Sequence, residues 1–301
     1  ELGWDAEHIQ LSAGANRVIY DHLGDADLTI ARHFTTKPIL SRFAIPEGAV
    51  LLIIPRVKLP LHWSGREVEP TVMAVARDSV EHVSMLPAGS DFYEFAVSEA
   101  LVHRTELFPP SFFARTRMHQ GAWLPLPEPQ TGRFLAMLDT AFTRADKTAG
   151  RSLNLRNGEL VDLVVERLQG IIDTGVAMRN GSPPRRTRRS DLLGDAEALM
   201  DAQLAEEITT DHIAQTLGVS YRVLNYAFRD AYGVSPGRLL RIKKLHTARR
   251  LLRANGSSVI EVALSVGQNS PSRFAAQYQR LFHELPSETR RSGNGGTSRN
   301  Y

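Results

Sequence analysis

The 301-residue sequence contains no cysteine. Disulfides, thiolate metal sites and cysteine nucleophiles are therefore excluded, and because this composition fits a reducing compartment, we expect a cytoplasmic protein. The sequence also lacks any apolar run approaching the roughly 20 residues that a membrane-spanning helix needs, and no signal peptide is visible. With 42% hydrophobic and 23% charged residues, the composition is typical of a globular protein that does not enter a membrane.

The two parts of the chain carry opposite charge. Residues 185–301 contain 18 lysines and arginines against 11 acidic residues, whereas residues 1–184 contain 18 against 22. A basic C-terminal third behind a mildly acidic front indicates either a polyanionic partner for the rear part or a solvated basic surface.

Residues 1–125 are strand-like. Short apolar or alternating segments occupy residues 50–63, 71–76 and 92–98, and the turn signals "PEG", "SG" and "PAG" separate them. Several short strands at this spacing predict a small β-sandwich or barrel.

Two amphipathic helices are predicted between residues 131 and about 174, because apolar residues recur there at three- and four-residue spacing. The β domain or a second subunit must cover these apolar stripes, and we expect a homodimer through these helices. The stripes consist of Phe134, Leu135, Leu138, Ala141 and Phe142, then Leu160, Leu163, Val164, Leu168 and Ile171.

The stretch "RNGSPPRRTRRSD", residues 179–191, cannot form a core and is predicted to be a basic interdomain linker. It separates an N-terminal domain, residues 1–178, from residues 192–291, which read as helix throughout. The Gly/Ser/Asn-rich residues 292–301 are predicted to be a disordered tail. The expected fold is α+β and multidomain, with an all-α C-terminal domain.

The C-terminal region contains an internal repeat. The segment "HIAQTLGVSYRVLNYAFRDAYGVSP" returns about fifty residues later as "VALSVGQNSPSRFAAQYQRLFHELP". Aligned on Gly218 and Gly267, each copy has a short apolar helix, a glycine corner, a polar-aromatic helix and a closing proline. This order is typical of a helix-turn-helix.

Helix signals support both copies. Ser220 is expected to cap the second helix of the first copy, and Ser258 with Glu261 has the pattern of a capping box. Ser235 and Ser270 each precede a proline at the first helical position.

Residues 236–254 predict one continuous helix between the copies. Its expected apolar stripe comprises Leu239, Ile242, Leu245, Ala248 and Leu252. Its basic residues are Arg238, Arg241, Lys243, Lys244, Arg249, Arg250 and Arg253.

The geometry of this repeat suits DNA. A recognition helix fits the major groove, and successive major-groove faces recur about every 34 Å along one side of the duplex. A straight helix of 19 residues is roughly 28 Å long, so it can hold two recognition helices about one turn apart. The alternative is a helical bundle that happens to repeat.

Residues from about 195 to 291 resemble the DNA-binding domain of the AraC/XylS family of bacterial transcription regulators. The matching segments are "GVS…L…FRDAYGVSP", "ARRLL", "VIEVALSVG" and "RFAAQYQRLF…P". The second copy departs from the family at Gln268, Ala276 and His283, which puts strict base readout by that copy in doubt. The resemblance implies a DNA partner, and RNA polymerase as a further partner if the protein activates transcription.

The predicted DNA-binding residues are those that the apolar spacing leaves outward on the two recognition helices. Arg222 can donate two hydrogen bonds to guanine and Asn225 can pair with adenine, whereas Arg229 is expected at phosphate. The family resemblance implies base contacts for Arg222, Asn225 and Tyr226. In the second copy the candidates are Ser272, Arg273 and Gln277, with Gln279 near the backbone. Arg249, Arg250 and Arg253 are expected either at phosphates or on the solvated surface.

The front domain resembles, by architecture alone, the cupin-like sensing half of such regulators, so a small-molecule effector is expected. Metal enzymes of cupin type need an H-x-H pair and a later glutamate, and none of His33, His62, His82 and His103 provides it. DNA-repair methyltransferases that carry the same DNA-binding module need cysteine and are excluded. The remaining alternative is a nucleoid-style protein whose front half only dimerises.

The linker adds one hypothesis about the effector. Arg185 and Arg189 have the R-x-x-x-R spacing by which PilZ domains hold a cyclic dinucleotide, and arginine forks suit phosphates and purine faces. The partner PilZ element, Asp/Asn-x-Ser-x-x-Gly, is absent. Cyclic di-GMP is thus one candidate effector, and a flexible linker that contacts DNA phosphates is the other interpretation of these arginines.

Overall fold

The computed structural model describes residues 6–57, 59, 61–63, 66–77, 81–109, 112–113, 122–147, 157–178, 188–206, 208–254 and 257–294. The N-terminal part is rich in β-strands, as the short alternating segments predict. Its strands are β1 Ala6–Gln10, β2 Val18–Gly24, β3 Leu28–Thr35, β4 Ile39–Ala44, β5 Ala49–Pro55, β6 Leu61–Trp63, β7 Arg66–Val68, β8 Val72–Arg77, β9 Glu81–Leu86, β10 Asp91–Ser98 and β11 Ala122–Pro125.

The strands form two antiparallel sheets. One sheet has the order β1-β4-β9-β6-β7 and the other the order β11-β8-β5-β10-β3-β2. The apolar segment at residues 50–63 is divided between β5 and β6, because Pro55 lacks the N–H group that a continuing strand would donate. The prediction of a β-rich front domain is confirmed.

Helix α1, Glu99–Arg104, follows β10, and two longer helices then cover the six-stranded sheet. Helix α2, Gln130–Lys147, and helix α3, Asn157–Met178, pack Phe134 and Leu168 into one core with Tyr93 and Phe95 of β10. The β-sheet thus covers most of the apolar stripes from which a dimer was predicted. Leu163 remains partly exposed, and the homodimer stays a prediction.

The C-terminal part consists of helices in the described residues. They are α4 Arg188–Ala202, α5 Thr210–Thr216, α6 Tyr221–Tyr232, α7 Pro236–Arg253, α8 Val259–Ser265, α9 Pro271–Phe282 and α10 Pro286–Asn294. No helix in the described part of the chain is long and apolar enough to span a membrane.

Two boundaries differ from the sequence prediction. Helix α4 begins at Arg188, inside the predicted linker, because its Leu193 and Met200 pack into the C-terminal core. Helix α10 continues to Asn294, inside the predicted tail, because buried Thr289 fixes it: the Thr289 hydroxyl lies 2.8 Å from the Tyr278 hydroxyl and donates to Glu284. Residues 179–187 and 295–301 lie outside the described residues.

The outer face of the five-stranded sheet packs against the C-terminal helices. Ile9, Leu11, Leu40 and Met85 belong to the same apolar cluster as the cores of α4, α6 and α7. At the edge of this cluster, Arg42 of β4 forms ion pairs with Glu197 and Asp201 of α4. The two parts of the chain therefore share one continuous interface, which the sequence analysis did not predict.

Candidate DNA-binding interface

Helices α5 and α6 form the first helix pair and meet at Gly218, whose φ of +66° lies in the left-handed region. Ile213 and Ala214 of α5 pack against Leu224 and Phe228 of α6, and all four side chains are buried. The Ser220 hydroxyl accepts a hydrogen bond from the Val223 amide at 3.3 Å, which confirms the predicted cap.

The opposite face of α6 carries the predicted DNA-contacting residues. Arg222, Tyr226 and Arg229 are exposed, and Tyr226 has 66% of its surface accessible to solvent. Asn225 is half-buried, and its side-chain oxygen has no hydrogen-bond partner among the described residues. All four therefore lie on the side of α6 that faces away from its core.

Two further side chains on α6 were not predicted. Tyr221 and Val223 are large apolar residues of the first helical turn, and about half of each is exposed. They flank Arg222 and extend the same face with apolar surface that can contact a thymine methyl group. Their position in the first turn of α6, outside its apolar spacing, could have indicated from the sequence that they are exposed.

Helices α8 and α9 form the second helix pair and meet at Gly267, with φ of +63°. The predicted capping box is present: the Ser258 hydroxyl accepts from the Glu261 amide at 3.2 Å, and the Ser258 amide donates to the Glu261 carboxylate at 2.7 Å. Ser270 precedes α9 as predicted, but its hydroxyl makes no capping hydrogen bond. Its ψ is 100°, against 150° to 159° at the caps of α6, α7 and α8, which turns the side chain away from the helix amides.

The outward face of α9 carries Ser272 and Arg273, which are exposed, and Gln277, which is half-buried. Phe274 and Tyr278 are fully buried, in agreement with the predicted inward face. The side-chain oxygen of Gln277, like that of Asn225 in the first pair, lacks a hydrogen-bond partner among the described residues. In both α6 and α9, the amide oxygen of this residue is therefore buried and has no hydrogen-bond partner among the described residues.

Helix α7 joins the two pairs and buries the predicted stripe of Leu239, Ile242, Leu245, Ala248 and Leu252. The Ser235 hydroxyl caps it by accepting from the Arg238 amide. Its length of 18 residues corresponds to about 27 Å.

Two of the basic residues of α7 are not on the surface, although neither belongs to the predicted apolar stripe. Lys243 is buried and forms ion pairs with Asp201 at 2.9 Å and Glu197 at 3.6 Å. Lys244 is buried too, and its ammonium group donates to the Glu206 carbonyl at 2.6 Å. Carboxylates of α4 neutralise Lys243, and a backbone carbonyl in the segment after α4 accepts from Lys244, so both ammonium groups are held inside the protein.

The remaining cations of α7 divide between two environments. Arg238, Arg241 and Arg253 are exposed, whereas Arg249 pairs with Glu284 at 2.8 Å and lies over the Phe282 ring at 4.5 Å. Arg250 is exposed but lies 3.5 Å from Glu7 of β1. Arg250 thus contacts the N-terminal part, whereas Arg249 packs against α9 and the segment that follows it.

Four histidines of the N-terminal part, weighed as metal ligands from the sequence, lie in different environments. His33 and His82 are buried among aromatic rings, His62 is half-buried, and His103 is exposed. In the described ranges, no group of three or more histidines and carboxylates could hold a metal ion. Arg185 lies outside the described residues, and Arg189 lies in the first turn of α4.

A cavity of about 1410 Å³ opens between the two sheets and reaches the C-terminal helices. Its inner wall is apolar and aromatic, with Phe43, Trp63 and Phe92 from the sheets. Its mouth is closed in part by His246 of α7 and Phe282 of α9. Burial, more than the charge of Arg249, lowers the pKa of His246 to about 4, so this ring is neutral at physiological pH.

Residues 213–292 match the family model described as a helix-turn-helix domain. The chain is 30% identical over 168 residues to the HTH-type transcriptional regulator ArgR of Pseudomonas aeruginosa, a match that covers 54% of this chain and 48% of that protein. It is 30% identical over 98 residues to the HTH-type transcriptional activator RhaS of Escherichia coli, covering 33% of this chain and 35% of that protein. The chain therefore spans about half or less of the length of these relatives.

Among solved structures, the chain is similar to a transcriptional regulator with an AraC-type DNA-binding domain from Chromobacterium violaceum. The sequence identity is 31%, and the match covers 36% of this chain and 96% of that one with a TM-score of 0.34.

Proposed function

We propose that the chain is a transcriptional regulator of AraC/XylS type that reads two adjacent major-groove segments of DNA with helices α6 and α9. The support is its match to a helix-turn-helix family model and its similarity to the regulators ArgR and RhaS. In this proposal each helix pair is a helix-turn-helix unit. The observation that carries it is the repeated arrangement at the two ends of α7: a buried apolar face on each second helix, and an exposed arginine and a half-buried amide on the opposite face. Its relatives are regulators, and the chain is not an enzyme.

The dimensions of α7 support this function. A helix of about 27 Å, with a recognition helix packed near each end, suits two major-groove faces that recur about every 34 Å. One chain then occupies two half-sites, a task that helix-turn-helix dimers divide between two subunits. The exposed Arg238, Arg241 and Arg253 of α7 add attraction for the phosphates.

Individual roles follow from side-chain chemistry. We assign Arg222 and Arg273 to guanine, because a guanidinium group donates two parallel hydrogen bonds to its O6 and N7 atoms. Asn225 and Gln277 suit adenine, since an amide both donates and accepts. Tyr226 and Ser272 complete the two faces, and Arg229 lies nearer the end of α6, where a phosphate contact is expected.

The test is selection of genomic DNA by the full chain, followed by footprinting on the retained fragments. We expect protection of two major-groove segments centred about one helical turn apart on the same side of the duplex. Protection of a single segment would contradict the role of α9. The genes beside the selected sites would also indicate the pathway, and the position of each site relative to the promoter would distinguish an activator that contacts RNA polymerase from a repressor.

For the N-terminal part, residues 1–178, we propose a cupin-like domain that binds a small-molecule effector in the cavity between its sheets. The support is that the cavity is bounded by His246 and Phe282 of the DNA-binding part, residues 192–291, as well as by the sheets. The affinity of a ligand that contacts both parts depends on how the two parts are arranged. If DNA binding also depends on that arrangement, the ligand changes the affinity for DNA. The protein would act in the cytoplasm, where its DNA is.

The competing function is a ligand-independent, nucleoid-style protein whose N-terminal part only dimerises. Thermal unfolding of the full chain with a metabolite library separates the two, because a ligand that binds only the folded state raises the melting temperature. Cyclic di-GMP belongs in that library on account of Arg185 and Arg189, and absence of binding heat at high micromolar concentration would eliminate it. Light scattering would test the proposed homodimer, for which Leu163 of α3 offers exposed apolar surface.

A further inference from the structure

We propose that the effector is an amine with an apolar body, whose ammonium group binds between Glu94 and His33 in the cavity of the N-terminal part. The inference rests on the proposed effector control and specifies the chemistry of the ligand. It follows from three features of the cavity wall: a carboxylate without a strong cationic partner, an aromatic enclosure around it, and an apolar recess beside it.

The carboxylate belongs to Glu94 of β10. Residues 92, 94 and 96 of this strand face the space between the sheets, whereas Tyr93 and Phe95 face helices α2 and α3. Glu94 is the one acidic residue that lines the cavity in the described part of the chain, and its side chain is 16% exposed. Its recorded ion-pair partner is His33, whose Nδ1 atom lies 4.0 Å away, too far for a hydrogen bond.

The neighbouring His8 imidazole does not supply a positive charge. Burial, and secondarily the neighbouring His33, lowers the pKa of His8, so this ring is neutral at physiological pH. Its Nδ1 atom is already engaged with the Ser41 hydroxyl at 2.8 Å. The two arginines that line the cavity lie at its mouth: Arg17 is exposed, and Arg249 is paired with Glu284.

The aromatic enclosure consists of Tyr20, His33 and Phe92. The His33 ring lies 5.6 Å from the Tyr20 ring and 4.9 Å from the Phe92 ring, between centroids. His33 is 5% exposed, and its Nδ1 atom has no hydrogen-bond partner in the described residues. Burial, with a smaller contribution from Glu94, raises the pKa of Tyr20 to about 12, so the phenol stays neutral.

A primary ammonium group satisfies this set of groups. It has three N–H donors and no acceptor, so it can donate to Glu94 and approach the Nδ1 atom of His33 while lying against the faces of Tyr20 and Phe92. A carboxylate ligand would bring a second negative charge beside Glu94 in a desolvated space, which is unfavourable. An alcohol could form one of the hydrogen bonds but would leave the Glu94 charge unneutralised.

The apolar recess receives the body of the ligand. Phe43, Ile53, Trp63 and Leu86 line the cavity and are buried. The indole N–H of Trp63 has no acceptor among the described residues, and it can donate to an oxygen or to a ring face of the ligand. The recess therefore selects a body with aromatic or branched apolar surface and distinguishes such amines from small hydrophilic ones.

The test compares ligands that differ only in their polar group. Thermal unfolding and calorimetry of the full chain are measured with 2-phenylethylamine, tryptamine and hexylamine, each beside the alcohol and the carboxylate of the same skeleton. We expect at least one amine to raise the melting temperature and to bind about tenfold to a hundredfold more tightly than its alcohol. Equal or tighter binding of the carboxylate, or no binding by any amine of the panel, would overturn the proposal.

A matched pair of variants locates the ammonium group. Glu94→Gln is expected to lower amine affinity about tenfold to a hundredfold while leaving the affinity for the alcohol unchanged. Glu47→Gln, at an exposed turn of the same domain, is expected to change neither. If Glu94→Gln does not fold, the comparison of amine, alcohol and carboxylate on the unaltered chain still decides the question.

Failure of this proposal can be distinguished from failure of the proposed function. Binding of a carboxylate or an alcohol alone would leave effector control standing and reject only the amine. The footprint on selected DNA tests the DNA-binding function without any ligand.

Discussion

Alanine at Gly267 is expected to destabilise the C-terminal helices far more than alanine at Gly218, although the two glycines occupy equivalent corners of the repeat. Their φ angles are nearly equal, at +63° and +66°. An L-residue in this region costs about 1–2 kcal/mol relative to glycine. On backbone conformation alone, the two substitutions would therefore have the same effect.

The surroundings of the two corners make the difference. A Cβ atom at Gly218 would meet nothing within 4 Å, whereas at Gly267 it would lie 2.7 Å from the Glu206 carbonyl oxygen, 2.9 Å from the Ala205 carbonyl oxygen and 2.8 Å from the Lys244 ammonium nitrogen. The segment after α4 covers the second corner, and it must move to admit a methyl group. That movement also strains the 2.6 Å hydrogen bond from Lys244 to Glu206.

The magnitude follows from these contacts. Overpacking costs about 1–3 kcal/mol, and loss of a hydrogen bond to a charged group adds about 1.5–3 kcal/mol. Together with the backbone cost, Gly267→Ala should therefore lower the free energy of unfolding by about 3.5–8 kcal/mol, against about 1–2 kcal/mol for Gly218→Ala.

Urea denaturation of the full chain, followed by far-ultraviolet circular dichroism, measures the difference. A gap of about 2 kcal/mol or more moves the midpoint by roughly 1 M, given slopes of about 1–3 kcal/mol per M. Gly194→Ala is the control, because Gly194 lies within α4 and a Cβ atom there has open space. Equal midpoints for the two corner variants would refute the inference that the segment after α4 covers the second corner.

Three further outcomes are expected. Arg222→Ala and Arg273→Ala should each weaken binding to the selected site by about 1–3 kcal/mol and reduce sequence specificity at one base position. Fluorescence anisotropy measures both affinities, and an equal loss of affinity for random DNA would contradict base readout. Lys243→Met should lower the free energy of unfolding by about 3 kcal/mol, because it removes a cationic partner of buried Glu197. Adding Glu197→Gln to this variant should recover part of the lost stability. No recovery in the double variant would argue against the ion pair. Burial depresses the pKa of His246 to about 4. As the pH falls below about 6.5, the unfolded chain therefore takes up a proton at this residue that the native chain does not. The free energy of unfolding should fall by about 2 kcal/mol between pH 7 and pH 5 for this reason. His246→Gln should remove this contribution to the pH dependence of stability. An unchanged pH profile in the variant would contradict the assignment to His246.

The C-terminal part was predictable because its signals are local. The cap at Ser220, the capping box at Ser258 and the inward spacing of Leu224 and Phe228 involve residues at most four apart along one helix, so sequence spacing alone determines them. The prediction went wrong where the partner is distant. Lys243 lies outside the predicted apolar stripe, yet it is buried, and Asp201, 42 residues earlier, pairs with it inside the protein.

For the N-terminal part, the sequence predicted the β-rich fold class but not the arrangement of the strands. Alternating apolar segments indicated strands, but they do not specify which strands pair or which faces enclose a cavity. Tyr20, His33 and Glu94 come from three strands that are neighbours in the sheet order β10-β3-β2. Nothing in the spacing of these residues along the chain indicates that they meet.

Strand β4 connects the proposed effector site with the DNA-binding helices. Its side chains alternate, so Ser41 and Phe43 line the cavity while Leu40 and Arg42 pack against the C-terminal part. Arg42 pairs with Glu197 and Asp201, both of which also pair with Lys243 of α7, the helix that joins the two recognition units. A ligand that contacts Phe43 therefore lies against a strand whose opposite face is anchored to that helix. A ligand that binds equally well to both arrangements of the two parts cannot change DNA affinity, however tightly it binds.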